Sequence, residues 1–217
     1  MAPADATAAM EKALTLAYDQ LGRTAPNPAV GCVIAGPEGL IAGGATADGG
    51  RPHAERIALD AAGDRARGAE VFVTLEPCAH HGQTPPCAEA LIAAAVSRVH
   101  IACLDPDPRT AGRGAELLRA AGIAVEIGLC AEAADELNAG FFKRVRTGLP
   151  LVGLSESGAR FDAEIILDEA DDPASMLRRL AEDGATRLFA RPGSRTANRL
   201  HEAGLVDLPA AAEKTGR

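Results

Sequence analysis

Apolar residues return every three or four positions between residues 5 and 21, with Ala9, Ala13, Leu14, Leu16, Ala17 and Leu21 on one side. That spacing predicts an amphipathic helix, which Gly22 and the prolines at 26 and 28 bring to an end. Short apolar runs then predict strands at 30–35 and 40–44, joined by a turn through Gly36-Pro37-Glu38-Gly39. A Gly-rich loop leads to Pro52 and a helix over 53–62. Strands at 71–75, 99–102 and 125–127 follow, alternating with helices over 87–95, 114–121 and from 131 into 142. Such alternation indicates an α/β fold layered around a mostly parallel sheet. The short turn between the first two strands makes them antiparallel, so the sheet is expected to be mixed. The rhythm loosens after Arg146-Thr147-Gly148-Leu149-Pro150, which divides the chain into residues 1–146 and 147–217. The second part keeps a predicted helix at 176–181 and a strand at 186–190, a small C-terminal α/β stub.

A chain of 217 residues can bury one full core and a smaller appendage. The net charge of −8, the 3% aromatic content and the absence of Trp argue against nucleic-acid binding, which uses a basic face and stacking rings. No apolar run approaches the ~20 residues that cross a bilayer. The first ten residues lack the basic and apolar regions of a secretory signal, so a cytoplasmic location is expected. Five widely spaced cysteines do not form a disulfide framework. Cys32, Cys103 and Cys130 lie in or beside apolar stretches and read as small buried hydrophobes. Cys78 and Cys87 instead flank a loop crowded with His and Pro.

Those two cysteines and one histidine carry the chemistry. Pro52-His53-Ala54-Glu55 opens one predicted helix, and Glu76-Pro77-Cys78 with Pro85-Pro86-Cys87 brackets the start of another. One imidazole and two thiolates leave the fourth position of a tetrahedral zinc open, the arrangement of a catalytic site. A helix N-terminus favours the thiolate form, and Pro86 suits a helix start because its missing N–H has no partner there anyway. Zinc brings the pKa of a bound water towards ~7, and an unligated carboxylate nearby can move its protons. Glu55 is that carboxylate. Residues two apart within a helix face different sides, so His53 and Glu55 can share one water only if His53 sits at the first turn. A structural zinc closed by His80 or His81 is the competing reading. It is disfavoured because structural sites rarely place a Glu beside the metal.

These segments resemble the deaminase domain of the bacterial bifunctional riboflavin-biosynthesis deaminase/reductase family. The likeness runs through residues 22–28, 30–34, 52–55 and 73–87, then Asp105-Pro106-Asp107-Pro108 and Ala111-Gly112-Arg113-Gly114. The eight residues between Cys78 and Cys87, with their His-His-Gly and Thr-Pro-Pro, set it apart from deaminases with a Cys-x2-Cys spacing. The resemblance implies a three-layer α/β/α cytidine-deaminase-like sandwich. It implies zinc on His53, Cys78 and Cys87, with Glu55 as the proton carrier. The implied reaction removes the 2-amino group of a diaminopyrimidinone bearing a phosphoribosylamino arm. Asn27 would bond the ring, while His80, Gln83, Asp105 and Asp107 would meet the arm. Thr46 and Gln83 stand where many members carry His and a basic residue, and Asp107 replaces a frequent Asn. A missing cation near a phosphate costs ~1.5–3 kcal/mol unless replaced. Arg51, Arg109 and Arg113 are candidates, each reading equally well as solvated surface.

The second half of that family is a reductase that binds a nicotinamide cofactor. Here residues 149–154 resemble its first strand, but Ser155 falls at the family's Lys position. Residues 183–190 resemble a late strand, yet the glycine-rich loop after it reads Arg191-Pro192-Gly193, and Pro192 removes a donor N–H. Residues 203–207 match the end of the next helix. A truncated, degenerate reductase without cofactor binding is expected. Two rivals remain open: a deaminase of the same fold acting on another aminopyrimidine, and a non-catalytic zinc scaffold whose stub binds a partner reductase. Homo-oligomerisation and a separate reductase partner are also left open.

Overall fold

The computed structural model describes residues 3–81 and 85–209, without the side chains of residues 3–5. Its first sheet is mixed. Strands β1 (Gly31–Gly36) and β2 (Gly39–Ala45) form an antiparallel hairpin with an irregularity between Ile34 and Ala35. Strand β3 (Glu70–Val73) is antiparallel to β1, and β4 (Arg98–Ile101) and β5 (Ala124–Ile127) continue in parallel, in the order β2-β1-β3-β4-β5. The central strands are apolar on both faces because helices cover both. Ile34, Val71, Phe72, Val73 and Ile101 are fully buried.

One face carries α1 (Pro3–Tyr18) and α5 (Ala131–Thr147); the other carries α2 (Ala54–Ala62), α3 (Cys87–Ala93) and α4 (Arg113–Ala120). Helix α1 lies so close to β1 that a Cβ on Gly31 would sit 1.8 Å from the Ala13 carbonyl oxygen. The loops after β3 and β4 emerge at one end of the sheet, where ligands bind in open α/β folds.

A second, three-stranded parallel sheet follows: β6 (Leu151–Leu154), β7 (Ala163–Glu164) and β8 (Arg187–Ala190), in the order β6-β8-β7. Helix α6 (Pro173–Glu182) starts with Asp172 accepting from the Ser175 N–H and with Pro at its first position, a standard N-terminal signal. Helix α7 (Arg195–Glu202) is capped by Ser194 in the same manner. Val152, Leu177, Leu188 and Leu200 form this sheet's own core.

The second sheet docks on the bare backbone of α5. A Cβ on Gly140 would meet Arg187 Cγ at 2.4 Å and the Thr186 carbonyl oxygen at 2.7 Å. Lys143 pairs with Asp207 at 2.6 Å, and the Arg160 guanidinium lies 4.0 Å from the centre of the Tyr18 ring.

Several expectations shift. Helix α1 ends at Tyr18 rather than at 21, since residues 19–22 turn beneath Phe161, whose carbonyl oxygen lies 2.5 Å from where a Gly22 Cβ would be. His53 is the N-cap of α2, not its first helical residue. Cys130 is only half-buried; it is the N-cap just before α5, with a left-handed backbone. Strand β7 was not expected: two exposed residues carry no apolar pattern, and pairing with β8 makes the strand. No helix among the described residues is long and apolar enough to cross a membrane.

Candidate active site

The loop before α2 brings His53 to the end of the sheet with φ −71° and ψ 157°, an extended residue just ahead of the helix. Glu55 then falls in the first turn of α2, and the change of direction lets both side chains meet on one side. Cys78 follows the end of β3, and Cys87 opens α3 behind Pro86. His53 Nδ1 lies 3.4 Å from Cys87 Sγ and 3.8 Å from Cys78 Sγ, and the Cys87 N–H donates to Cys78 Sγ at 3.2 Å. The three candidate ligand atoms lie within 4.8 Å of one another.

The donor set and its spacing fit zinc. Bonds of ~2.0–2.1 Å to nitrogen and ~2.3 Å to sulfur give a tetrahedron whose N···S edges are about 3.6 Å. The two observed separations bracket that edge. Neither His80 nor His81 joins the cluster: His80 Nδ1 lies 3.4 Å from Thr110 Oγ1, and His81 reaches out to Glu89 at 3.7 Å.

The two thiols are shifted in opposite directions. Hydrogen bonding from Cys87, and then from His53, holds Cys78 down at about 4 against the opposing effect of burial. The same bond to Cys78, with burial, pushes Cys87 up, while His53 rises mainly through its contact with Cys78. Glu55, only 4% exposed, is pushed up to about 7 by burial first and by the Cys78 thiolate next.

His53, Glu55 and Cys78 line a cavity of about 330 Å³ together with Asn27, Thr46, Arg51, Asp105, Asp107 and Arg144, among others. Asn27 is held tightly. Its Nδ2 donates to the Gly50 carbonyl at 3.3 Å, and a Cβ on Gly50 would sit 2.2 Å from that nitrogen. The Thr46 hydroxyl accepts from the Val30 N–H at 3.0 Å, which ties it to the strand. Asp105 accepts from the Asp107 N–H, and burial raises its pKa to about 6. Asp107 is lowered by Arg109, which donates to it through backbone and guanidinium alike. Arg113 starts α4 and is not among the lining residues, whereas Gln83 lies outside the described residues.

Glu76 organises this wall. Its buried carboxylate accepts from the N–H groups of Gly112 at 2.9 Å, Ala115 at 3.1 Å and Asp105 at 3.3 Å. It thereby caps α4 and fixes the turn that carries Asp105 and Asp107. Sequence reasoning placed Glu76 only beside a ligand; a Glu directly after an apolar strand, where a buried charge needs partners, was the available signal.

Comparison with known proteins agrees with this architecture. Residues 3–103 match the family model of the cytidine and deoxycytidylate deaminase zinc-binding region. The riboflavin biosynthesis protein RibD of Escherichia coli is 50% identical over 153 residues, covering 70% of this chain and 41% of that protein. The diaminohydroxyphosphoribosylamino-pyrimidine deaminase of Buchnera aphidicola (Acyrthosiphon pisum) is 45% identical over 141 residues, covering 65% of this chain and 96% of that protein. The chain belongs to the diaminohydroxyphosphoribosylaminopyrimidine deaminase family. A solved structure of Acinetobacter baumannii RibD superposes with a TM-score of 0.81 at 28% identity, covering 99% of this chain and 89% of that one. Membership of a zinc-binding deaminase family and the His/Cys/Cys cluster together make zinc the cofactor. The chain spans about two fifths of the length of the RibD relatives it matches, from 39% to 44%.

Proposed function

We propose that the chain is a hydrolytic deaminase that removes the 2-amino group of a diaminopyrimidinone bearing a phosphoribosylamino arm. The observation that carries this reading is the buried Glu55 beside the His53–Cys78–Cys87 triangle at the floor of a substrate-sized cavity. His53, Cys78 and Cys87 hold the metal. Zinc in a three-ligand site supplies an acidified water as nucleophile at neutral pH. Glu55 takes one proton from the attacking water and delivers it to the ring nitrogen next to the amino-bearing carbon, then carries the remaining proton from the newly added hydroxyl to the departing amine. The new C–O bond replaces the broken C–N bond, and ammonia leaves. Asn27, fixed through Gly50, orients the ring; His80, Asp105 and Asp107 face the arm. Ammonia release from the diaminopyrimidinone ribotide, abolished by a chelator and restored by zinc, is the expected result. No release by the zinc-loaded protein would refute the reading.

Residues 1–146 form the deaminase domain in this reading, and residues 147–217 a reductase remnant that binds no nicotinamide cofactor. Two features support the second part. Ser155 Oγ accepts from the Gly158 N–H within its own loop, and the Arg191 side chain is spent on Glu164 at 3.1 Å and on the Glu156 carbonyl. Calorimetric titration with the reduced phosphorylated nicotinamide cofactor is expected to give no saturable heat; micromolar binding would overturn it.

A further inference from the structure

The cavity that ends at the metal triangle needs a cation if its substrate carries a phosphate, and the choice among its guanidinium groups is constrained. Arg109 is committed to Asp107, which it binds through its N–H, Nε and Nη2. Arg144, on α5, lines the same cavity and is held differently. Its Nε donates to the Ala181 carbonyl of α6 at 2.8 Å, and its Nη1 to the Pro26 carbonyl at 3.4 Å. Both acceptors are neutral, and among the described residues no carboxylate pairs with Arg144. Two bonds leave three of its five N–H donors. A guanidinium fixed at two points and uncompensated in charge is prepared to receive an anion in a fork geometry.

The anchors are informative. Pro26 belongs to the loop that carries Asn27, and Ala181 belongs to the segment beyond α5. Gly184, just after α6, rests on the same loop, since its Cβ would lie 3.1 Å from Pro26 Cβ. The C-terminal segment therefore touches both the guanidinium and the loop that orients the ring.

We propose that Arg144 recognises the phosphomonoester of the substrate, and that α6 is the strut that positions it. The segment after α5 is then a wall of the deaminase site. This rests on the phosphorylated substrate proposed above and adds the residue that selects for it.

The test compares the zinc-loaded full chain with Arg144→Ala and Arg144→Lys. Each is assayed for ammonia release from the ribotide and from the dephosphorylated riboside, and thermal shift reads the binding of inorganic phosphate. Wild type should prefer the ribotide. Arg144→Ala should lose about 10–100-fold of that preference, through KM for the ribotide, as loss of a charge-assisted hydrogen bond predicts. Arg144→Lys should keep part of it, and phosphate should raise Tm in wild type but not in Arg144→Ala. An unchanged ribotide preference, or an equal kcat loss on both substrates in both variants, would overturn the assignment. So would a preference that falls with Arg51→Ala while Arg144→Ala retains it. Failure of wild type to turn over either substrate would count against the deaminase reading instead, and the phosphate shift would still decide Arg144.

Discussion

Replacing Glu76 by Gln preserves shape and removes one capability. The carboxylate receives Ala115 N–H on Oε1 and both Gly112 and Asp105 N–H on Oε2. A carboxamide offers one oxygen. Placed on the Oε2 side, it keeps two bonds and turns an NH2 group towards the Ala115 N–H, which is buried and has no other partner in the helix. Leaving such a donor unpaired costs about 1–3 kcal/mol. Losing a negative charge at the N-terminus of α4 adds up to ~1 kcal/mol. The sum is about 2–4 kcal/mol, or a Tm lowered by roughly 4–16 °C for a chain of this size. Urea unfolding should show a lower midpoint at constant slope. Because the freed turn carries Asp105 and Asp107, KM for the phosphorylated substrate should rise more than kcat falls. A variant within ~0.5 kcal/mol of wild type and with unchanged KM would show that the three bonds do not organise the wall.

Three further outcomes are expected. Glu55→Gln should lower turnover ~10²–10⁴-fold with zinc content retained by elemental analysis; loss of the metal would make Glu55 a ligand. Gly50→Ala places a Cβ 2.2 Å from Asn27 Nδ2 on a backbone with φ +87°, so it should raise KM and cost at least ~1 kcal/mol in urea unfolding, and neither effect would appear if the loop adjusts freely. Asp105 holds its proton more tightly folded than unfolded, since burial lifts its pKa from 3.8 to about 6, so its contribution to stability falls as pH rises from 4 to 6. Asp105→Asn should therefore gain on wild type above pH 6 by ~1–3 kcal/mol and match it below pH 4, as read by stability curves at both ends; a gain independent of pH would contradict this origin.

The layered sheet was legible because apolar runs, glycines and prolines punctuate residues 30–127 cleanly, and the metal triangle because its residue types are rare at helix starts. The His53–Glu55 spacing was ambiguous until the backbone resolved it, since an N-cap and a first-turn residue share a side that two helical residues do not. Glu76 was harder to read: its partners are backbone N–H groups at 105, 112 and 115, and backbone donors leave no mark in a sequence. Arg144 lies past the helix expected to run from 131 into 142, and its setting comes from carbonyls 118 positions upstream and 37 downstream. Strand β7 escaped for the same reason, being made by its neighbour rather than by its own residues.

The bare stretch of α5 at Gly140 sets a tolerance. Where two bodies meet through side chains, a substitution can be absorbed by a rotamer; where backbone meets backbone, it moves the whole contact. Any β-carbon at 140 displaces Thr186 and Arg187, and one helical turn along lies the guanidinium at 144. A scan of this chain for substrate affinity should therefore reveal sensitive positions at 186 and 187, far along the chain from the metal triangle. Drift in that region is limited by the gap it must hold open.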